Sequence, residues 1–368
     1  MPRLLVYSDA VGSGGAEQVL RTLLGGLSTE WEVVVIGVSE EVCAHVASAR
    51  PDVPWLAVPS GPRWDLGSVI RLRRAIARSS PDVVHVNLTW PLASWHAQLA
   101  LLTYRRPVVV LHEHLPTPFR RRVYRVVKRV LSRRADGHVV VSAAAADLLA
   151  RETGLDREHL TVVPNGVDVP RASLTGRARK GPPVVVSVGR FTAQKGFDVL
   201  LQALRLVPDA VAHVVGARSP EDSDWLEGLA DELGVGDRVR VLPWSDRIHD
   251  VLADADVVAV ASRAEAAQLV LLEALAAGLP VVSTRVGSAE EVLGRLDERL
   301  LVPVEDPRAL AGALCLVLSD RDLREDVGER GRHLVMTEYT TAAVCRRFEH
   351  FYRERLTARR GRGRRRTP

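Results

Sequence analysis

Short apolar runs rich in valine alternate with amphipathic stretches along most of the chain. They lie at 3–8, 32–38, 83–87, 107–112 and 137–142, and then at 184–188, 211–215, 238–242, 257–261 and 280–284. Some, such as Val108-Val109-Val110-Leu111 and Val257-Val258-Ala259-Val260, contain no polar residue. A strand with one wet face would alternate, so these runs predict parallel strands buried on both faces, with the amphipathic stretches as the covering helices. The repeat occurs in two series, which predicts an α/β protein of two Rossmann-like, doubly wound parallel sheets.

Between the series, the stretch from Val169 to Pro183 is polar, basic and rich in proline and glycine, as an interdomain connection should be. The expected division is an N-terminal domain over 1–170, a linker over 171–183 and a C-terminal domain over 184–338. Val344, Phe348, Phe351 and Tyr352 then recur at helical spacing, so residues 339–358 are expected to form a helix that packs back on the N-terminal domain. Residues 359–368 hold almost nothing that could pack and are expected to be a disordered basic tail. Two such sheets facing each other across a cleft would bring the carboxyl ends of both strand sets to one crevice, where folds of this class bind ligands.

Composition changes this picture little. The chain has 368 residues, 46% hydrophobic and 26% charged, which is ordinary for a globular protein and enough for two cores. A pI of about 9.4 suggests nucleic acid. However, seven arginines and no acid lie between Arg355 and Pro368, and removing them takes the net charge from +5 to −2. The body is close to neutral, so no specific nucleic-acid partner is expected, and the tail reads as solvated in preference to a non-specific polyanion contact. Cys43, Cys315 and Cys345 are too scattered for a zinc site or a disulfide framework. No run reaches the roughly eighteen apolar residues of a membrane span, and Met1 leads directly into Leu4-Leu5-Val6-Tyr7 without the apolar segment of a signal peptide. A soluble, cytoplasmic protein is the expectation.

The segment from Phe119 to Arg134 adds a candidate partner. Val123, Val126, Val127, Val130 and Leu131 share a helical face, with Arg120, Arg121, Arg122, Arg125, Lys128, Arg129 and Arg133 largely around it. Such a helix either lays its apolar stripe on the sheet and leaves its arginines solvated, the reading preferred here, or makes weak contact with a membrane surface.

The candidate chemistry lies in loops that follow strands. Gly12-Ser13-Gly14-Gly15-Ala16-Glu17 leads from the first strand into a helix; it suits either a tight turn or the approach of an anion to backbone amides. Gly189-Arg190-Phe191-Thr192-Ala193-Gln194-Lys195-Gly196 follows the strand at 184–188. Its two cations could neutralise a diphosphate leaving group, or could be solvated surface charges. Ser262 to Gly278 follows another buried strand and contains Glu265 and Glu273. If a helix starts near Gln268, Glu265 lies before it and Glu273 inside it. The amides of Gln268, Leu269 and Val270 could then receive phosphate, and the two acids could meet different parts of one long ligand or be ordinary surface acids.

Together these segments resemble the glycosyltransferase family 4 type of the GT-B fold over nearly the whole chain. The matches run in order: Gly14-Gly15-Ala16-Glu17, Pro81-Asp82-Val83-Val84-His85, the strand ending in His112, and Val163-Pro164-Asn165-Gly166-Val167-Asp168. Gly189-Arg190 with Gln194-Lys195-Gly196, the Glu265 to Glu273 motif and Gly278-Leu279-Pro280-Val281-Val282 complete them. The resemblance implies retaining transfer from a nucleotide-diphosphate sugar, with no metal or other cofactor. It implies that Arg190 and Lys195 hold the pyrophosphate, Glu265 contacts the donor sugar, Glu273 holds the ribose, His112 lies beside the sugar, and Gly14 and Gly15 lie next to the phosphates. Gly189, Ala267, Gln268, Leu269 and Val270 would complete the donor site. The hydroxyl acceptor, a small molecule, antibiotic or envelope precursor, would bind near Gly14, His85, Asn87 and His112.

The chain departs from the family where Gly-Phe-Gly usually follows the first glutamate; it has Ala266-Ala267-Gln268. Backbone contacts survive alanine for glycine only at negative φ, and Gln268 adds a side-chain amide that could donate to the ligand. A sugar-nucleotide epimerase on the same fold and a non-catalytic partner protein are the alternatives. Asp222-Ser223-Asp224 and Asp254-Ala255-Asp256 fit the Asp-x-Asp pattern that binds metal elsewhere, but capping and turn roles account for them. His112-Glu113-His114 has no evident third ligand.

Overall fold

The computed structural model describes residues 1–61, 65–90, 92–115, 117–118, 121–177, 180–245 and 247–364. It divides into two compact units: residues 1–166 with 341–368, and residues 167–340.

The first unit opens with β1 (Arg3–Ser8), α1 (Gly15–Gly26), β2 (Glu32–Gly37), α2 (Glu40–Ala47) and β3 (Trp55–Ala57). It continues through α3 (Leu66–Ser79), β4 (Val83–Leu88), α4 (Trp95–Thr103), β5 (Val108–Glu113), α5 (Arg122–Ser132), β6 (Gly137–Val140), α6 (Ala143–Thr153) and β7 (Leu160–Val162). The second comprises β8 (Val184–Val188), α7 (Phe197–Leu204), β9 (Val211–Ala217), α8 (Pro220–Glu232), β10 (Val239–Pro243), α9 (Ile248–Leu252) and β11 (Val257–Val260). It ends with α10 (Leu269–Ala276), β12 (Val281–Thr284), α11 (Ala289–Leu293), β13 (Leu301–Val302), α12 (Pro307–Ser319) and α13 (Arg321–Leu334), before α14 (Thr341–Arg364) closes the chain.

Both sheets are parallel, in the orders β3-β2-β1-β4-β5-β6-β7 and β10-β9-β8-β11-β12-β13. The apolar runs 108–111 of β5 and 257–260 of β11 are buried throughout, as a sheet covered by helices on both faces requires. Local chemistry starts the helices. Ser39, Ser142 and Ser219 accept from backbone amides of the first turns of α2, α6 and α8, and Pro220 stands at the start of α8, where its missing N–H costs nothing. Each chain direction reverses beside the first strand of its unit, between β1 and β4 and between β8 and β11. At these switch points the loops diverge and leave a crevice beyond the carboxyl ends of the strands.

Three strands escape the hydrophobic pattern. β3, β7 and β13 are two or three residues long and lie at sheet edges, where a strand has too few residues to show a period. The crossing between units falls between Gly166 and Val167, earlier than the expected linker. Residues 171–177 instead lie on the second unit, because Leu174 N–H reaches Ala277 O and Thr175 Oγ1 donates to Gly278 O. The last helix lies on the first unit's core through Val344, Phe348, Phe351 and Tyr352. It runs past the expected onset of disorder at 359, held by Arg359, which donates to both oxygens of Asp136. Residues 365–368 of that expected tail lie outside the described residues.

The basic helix α5 corrects the preferred reading of its segment. Its valines face solvent: Val123, Val126, Val127 and Val130 are 57%, 61%, 40% and 45% exposed. Its buried residues are Lys128, Leu131 and Ser132. The reason is an ion pair, since the fully buried Lys128 ammonium bonds Glu113 at the end of β5 and turns the lysine side of the helix to the core. Burial raises the Glu113 carboxyl despite that partner. A buried charge left without its partner would cost about 3–5 kcal/mol, so once Lys128 and Glu113 are both inside they hold each other there. Phe119 and Arg120 of this segment lie outside the described residues.

Candidate functional site

In the second unit the two loops at the switch point are tied to each other. Gly196 ends the β8 loop at φ 64°, and a Cβ there would lie 2.1 Å from Ala261 O, so only glycine permits the two strand ends to meet this closely. A Cβ on Gly189 would meet the Lys195 side chain at 2.9 Å, so the absent side chain is the path of the lysine stem. Lys195 Nζ thereby reaches Glu265 Oε1 at 2.6 Å, and Ser262 Oγ donates to the same oxygen at 2.9 Å. Glu265 Oε2 has no partner among the described residues. The Arg190 guanidinium is exposed at the loop's start and likewise has none.

Arg263 fastens these loops from outside. It donates to both oxygens of Asp198 at 2.9 and 2.7 Å, to Ala193 O at 2.6 Å, and to Glu305. Gln194 Nε2 adds a bond to Ala264 O at 2.7 Å. No spacing in the sequence reveals Arg263, because its acids lie 65 and 42 residues away.

α10 begins at Leu269 with Gln268 at its N-cap, and no side chain caps it. Its first amides at Leu269 and Val270 therefore lack the usual local acceptor. Neither Ala266 nor Ala267 has positive φ, and Gln268 lies at φ −84°, so the alanines hold this stretch without strain. The side chain of Gln268 is not available as a ligand donor in the way its amide suggested. It is buried, donates to Val286 O at 2.9 Å and accepts from Ser288 Oγ at 3.1 Å, which anchors the following loop. Glu273 is half-buried inside α10, and burial pushes its carboxyl up to about 7.

The first unit gathers a different set. None of Gly12, Gly14 and Gly15 has positive φ, and a Cβ on Gly12 would meet nothing within 4 Å. Backbone conformation does not demand glycine here; open space beside the loop is what it preserves. Glu17 is buried at the third position of α1, with Oε2 accepting from Gly14 N at 3.2 Å and Oε1 accepting from Ser8 Oγ at 3.2 Å and Asn87 Nδ2 at 3.3 Å. It pins β1, β4 and the glycine loop together. A glutamate three residues after the N-cap, the acid half of a capping box, is the signal that could have revealed this role.

Asn87 and His112 are register partners on β4 and β5 and so share a sheet face. Asn87 Oδ1 and His112 Nε2 are buried without a hydrogen-bond partner among the described residues. His85 is not placed as expected for a residue touching an acceptor. It is fully buried with both ring nitrogens engaged, one with Tyr352 Oη at 2.7 Å and the other with His112 Nδ1 at 3.2 Å. Burial lowers the basicity of all three neighbouring rings, His85 and His114 to about 3 and His112 well below its usual value.

The second unit thus holds Gly189, Arg190, Lys195, Glu265, Ala267, Gln268, Leu269, Val270 and Glu273, and the first holds Gly14, Gly15, His85, Asn87 and His112. Among the described residues no group of three or more His, Cys, Asp or Glu side chains could hold a metal ion. Asp256 and Asp222 serve the backbone instead, accepting from Val184 N and Arg218 N.

Residues 174–334 match the family model Glycosyl transferases group 1, and residues 13–171 match Glycosyltransferase Family 4. A phosphatidyl-myo-inositol mannosyltransferase of Propionibacterium freudenreichii subsp. shermanii is 34% identical over 73% of this chain and 69% of its own length. The lipopolysaccharide core biosynthesis glycosyltransferase LpsE of Rhizobium meliloti is 32% identical over 51% of this chain and 56% of its own. The chain spans about half the length of the first curated relatives it matches. The solved structure of Anabaena Alr3699/HepE in complex with UDP and glucose superposes with a TM-score of 0.82 at 19% identity, covering 96% of this chain and all of that one, and it shows the GT-B fold.

Proposed function

From the premise that the chain belongs to the group 1 glycosyltransferases, we propose that it moves a sugar, with retention and without metal, from a nucleotide-diphosphate sugar to an acceptor hydroxyl. The observation that carries this reading is the second unit's switch point. There a half-buried lysine paired with one oxygen of Glu265, an exposed Arg190 with no side-chain partner among the described residues and the uncapped start of α10 lie on the segments that follow the neighbouring strands β8 and β11. As the glycosidic bond breaks, negative charge grows on the departing diphosphate, and Arg190, Lys195 and the helix amides are the groups able to stabilise it. Lys195 can shift from carboxylate toward phosphate, which leaves Glu265 as an acceptor for sugar hydroxyls. Glu273, once ionised, is suited to accept from the ribose. The bound UDP of the Anabaena protein supports a nucleotide-sugar donor.

The acceptor we favour is an envelope amphiphile at an anionic membrane surface. Similarity to a phosphatidyl-myo-inositol mannosyltransferase and to a lipopolysaccharide core biosynthesis glycosyltransferase supports this, and so does α5, whose exposed valines are flanked by Arg122, Arg129 and Arg133. No helix among the described residues is long and apolar enough to cross a membrane.

The test is a panel of nucleotide sugars incubated with and without lipid and small hydroxyl acceptors and followed by mass spectrometry. Transfer that needs an acceptor is expected. A changed sugar nucleotide without acceptor would assign an epimerase. Nucleoside diphosphate binding with neither transfer nor donor hydrolysis would assign a non-catalytic partner protein.

A further inference from the structure

Lys195 lies inside one turn of the second unit whose two ends are bonded to a single side chain. A tight helical turn over Ala193–Lys195 leads through Gly196 into α7, with Asp198 in that helix's first turn. The Arg263 guanidinium donates to Ala193 O at 2.6 Å before the lysine, and to both oxygens of Asp198, at 2.9 and 2.7 Å, after it. The Arg263 backbone N–H adds a bond to Gln194 O at 2.7 Å. One residue of the segment after β11 thus grips positions 193, 194 and 198, and the lysine stands within the grip.

The guanidinium has nothing left to offer a ligand. Its Nε and one Nη2 donor go to Glu305, the other Nη2 donor to Asp198, and the two Nη1 donors to Asp198 and Ala193 O, which engages all five. Glu265 has a separate anchor. Ser262 Oγ donates to its Oε1 at 2.9 Å, and the Ser262 carbonyl accepts from Thr284 Oγ1 at 2.6 Å. Loss of the Arg263 side chain therefore frees the lysine side of the Lys195–Glu265 pair and leaves the glutamate side in place. Glu305 lies outside the turn, and its side chain is 54% exposed against 32% for Asp198. Solvent screens a pair so placed, and it adds little to the grip. A lysine at 263 could not meet a carbonyl and both oxygens of a carboxylate at once, since it lacks the planar fork.

We infer that Arg263 is a positioning residue for the donor diphosphate: by gripping the turn from 193 to 198 at both ends, it holds Lys195 beside Glu265 before the ligand arrives. The ammonium then stands ready for the charge that grows on the leaving group, with no reorganisation left to the reaction itself. This rests on the reading of Lys195 as a diphosphate contact. It gives the second unit a residue that touches no substrate and still sets the rate.

Competitive acylation of the ligand-free full chain with acetic anhydride reads the state of Lys195 without any turnover. The chain has three lysines; Lys128 is fully buried and Lys180 is exposed, so Lys180 is the internal standard. In Arg263→Gln, Lys195 is expected to react about fivefold faster relative to Lys180, and an unchanged ratio overturns the inference whatever the activity. On the sugar nucleotide that the panel identifies, Arg263→Gln should lower kcat about tenfold in the otherwise native chain and less than about twofold in Lys195→Ala. A misplaced lysine costs nothing where the lysine is already gone, so equal losses in the two backgrounds would show a merely structural role and overturn the inference. Arg263→Lys should not restore kcat; full restoration would show that charge alone suffices and overturn it too. Asp198→Ala should reproduce the loss and Glu305→Gln should not, and equal losses from the two would count against the grip on the turn. If Arg263→Gln fails to fold, Asp198→Ala carries the same acylation test and the same cycle with Lys195→Ala. Wild-type turnover in Lys195→Ala, with the acylation result as expected, would instead sink the reading of Lys195 as the diphosphate contact.

Discussion

At the switch point of the second unit the polar side chains are charged and partly exposed, and at that of the first they are buried and held in a fixed order. The side chains of Lys195 and Glu265 keep 19% and 11% of their surface. In the first unit His85, Asn87 and His112 keep 1% or less. A charged pair near water can exchange partners cheaply, because solvent screens each intermediate arrangement. Such a pair suits a ligand whose charge changes during reaction. Buried neutral groups exchange partners only at the cost of stranding a donor or acceptor, so they present a constant pattern suited to uncharged hydroxyls. The same contrast appears between two helices of the first unit. α14 lays Phe348 and Tyr352 on the sheet, whereas α5 turns its lysine inward to meet Glu113 and leaves its valines outside.

The comparison would break most visibly at Lys195. Lys195→Ala is expected to lower kcat by about a hundredfold or more, with the melting temperature within a few degrees of wild type, since a charge that stabilises the leaving group is lost from a part-exposed position. Turnover near wild type in a folded protein would remove the charged half of the contrast.

The two helices can be separated next. Replacing Val126 and Val130 with aspartate should reduce binding to vesicles containing anionic phospholipid by roughly tenfold or more, because apolar contact is removed and negative charge is added. Activity on a water-soluble acceptor should stay the same. Co-sedimentation with vesicles of anionic and of zwitterionic lipid checks this, and equal binding of the variant to both would show that α5 is not the contact.

The smallest expected effect sharpens the electrostatic side. Burial holds the Glu273 carboxyl near 7, so its acceptor form is lost as pH falls through that value and regained above it. Affinity for UDP or GDP should fall roughly fivefold from pH 7 to pH 6 and level off above pH 8. Calorimetric titration across that range measures it. Glu273→Gln should bind more weakly at high pH and lose the slope, and a slope that persists in the variant would place the titration elsewhere.

Much of the fold was legible because continuous valine runs such as 108–111 and 257–260 leave few structures open to them. The loops that carry Arg190, Lys195 and Glu265 were legible as loops after strands for the same reason. The direction in which a helix faces was not. The period of α5 shows an apolar stripe, and a stripe ordinarily faces the core, but here Lys128 meets a buried acid on the opposite side, a partner that no period announces. Gln268 misled in a similar way: its amide could serve a ligand or the protein, and Val286 O and Ser288 claimed it.

By itself the sequence determined the two strand-helix series, the glycines at 189 and 196 and the order of the charged residues, since these depend on local propensity and short spacing. Only the tertiary structure decided who meets whom across long separations. Lys195 pairs with an acid 70 residues on, Arg263 with acids 65 and 42 residues away, and Tyr352 with a histidine 267 residues before it. Such partners are chosen by which strand ends the sheet brings side by side and by the requirement that buried donors find acceptors there, and neither leaves a period in the chain.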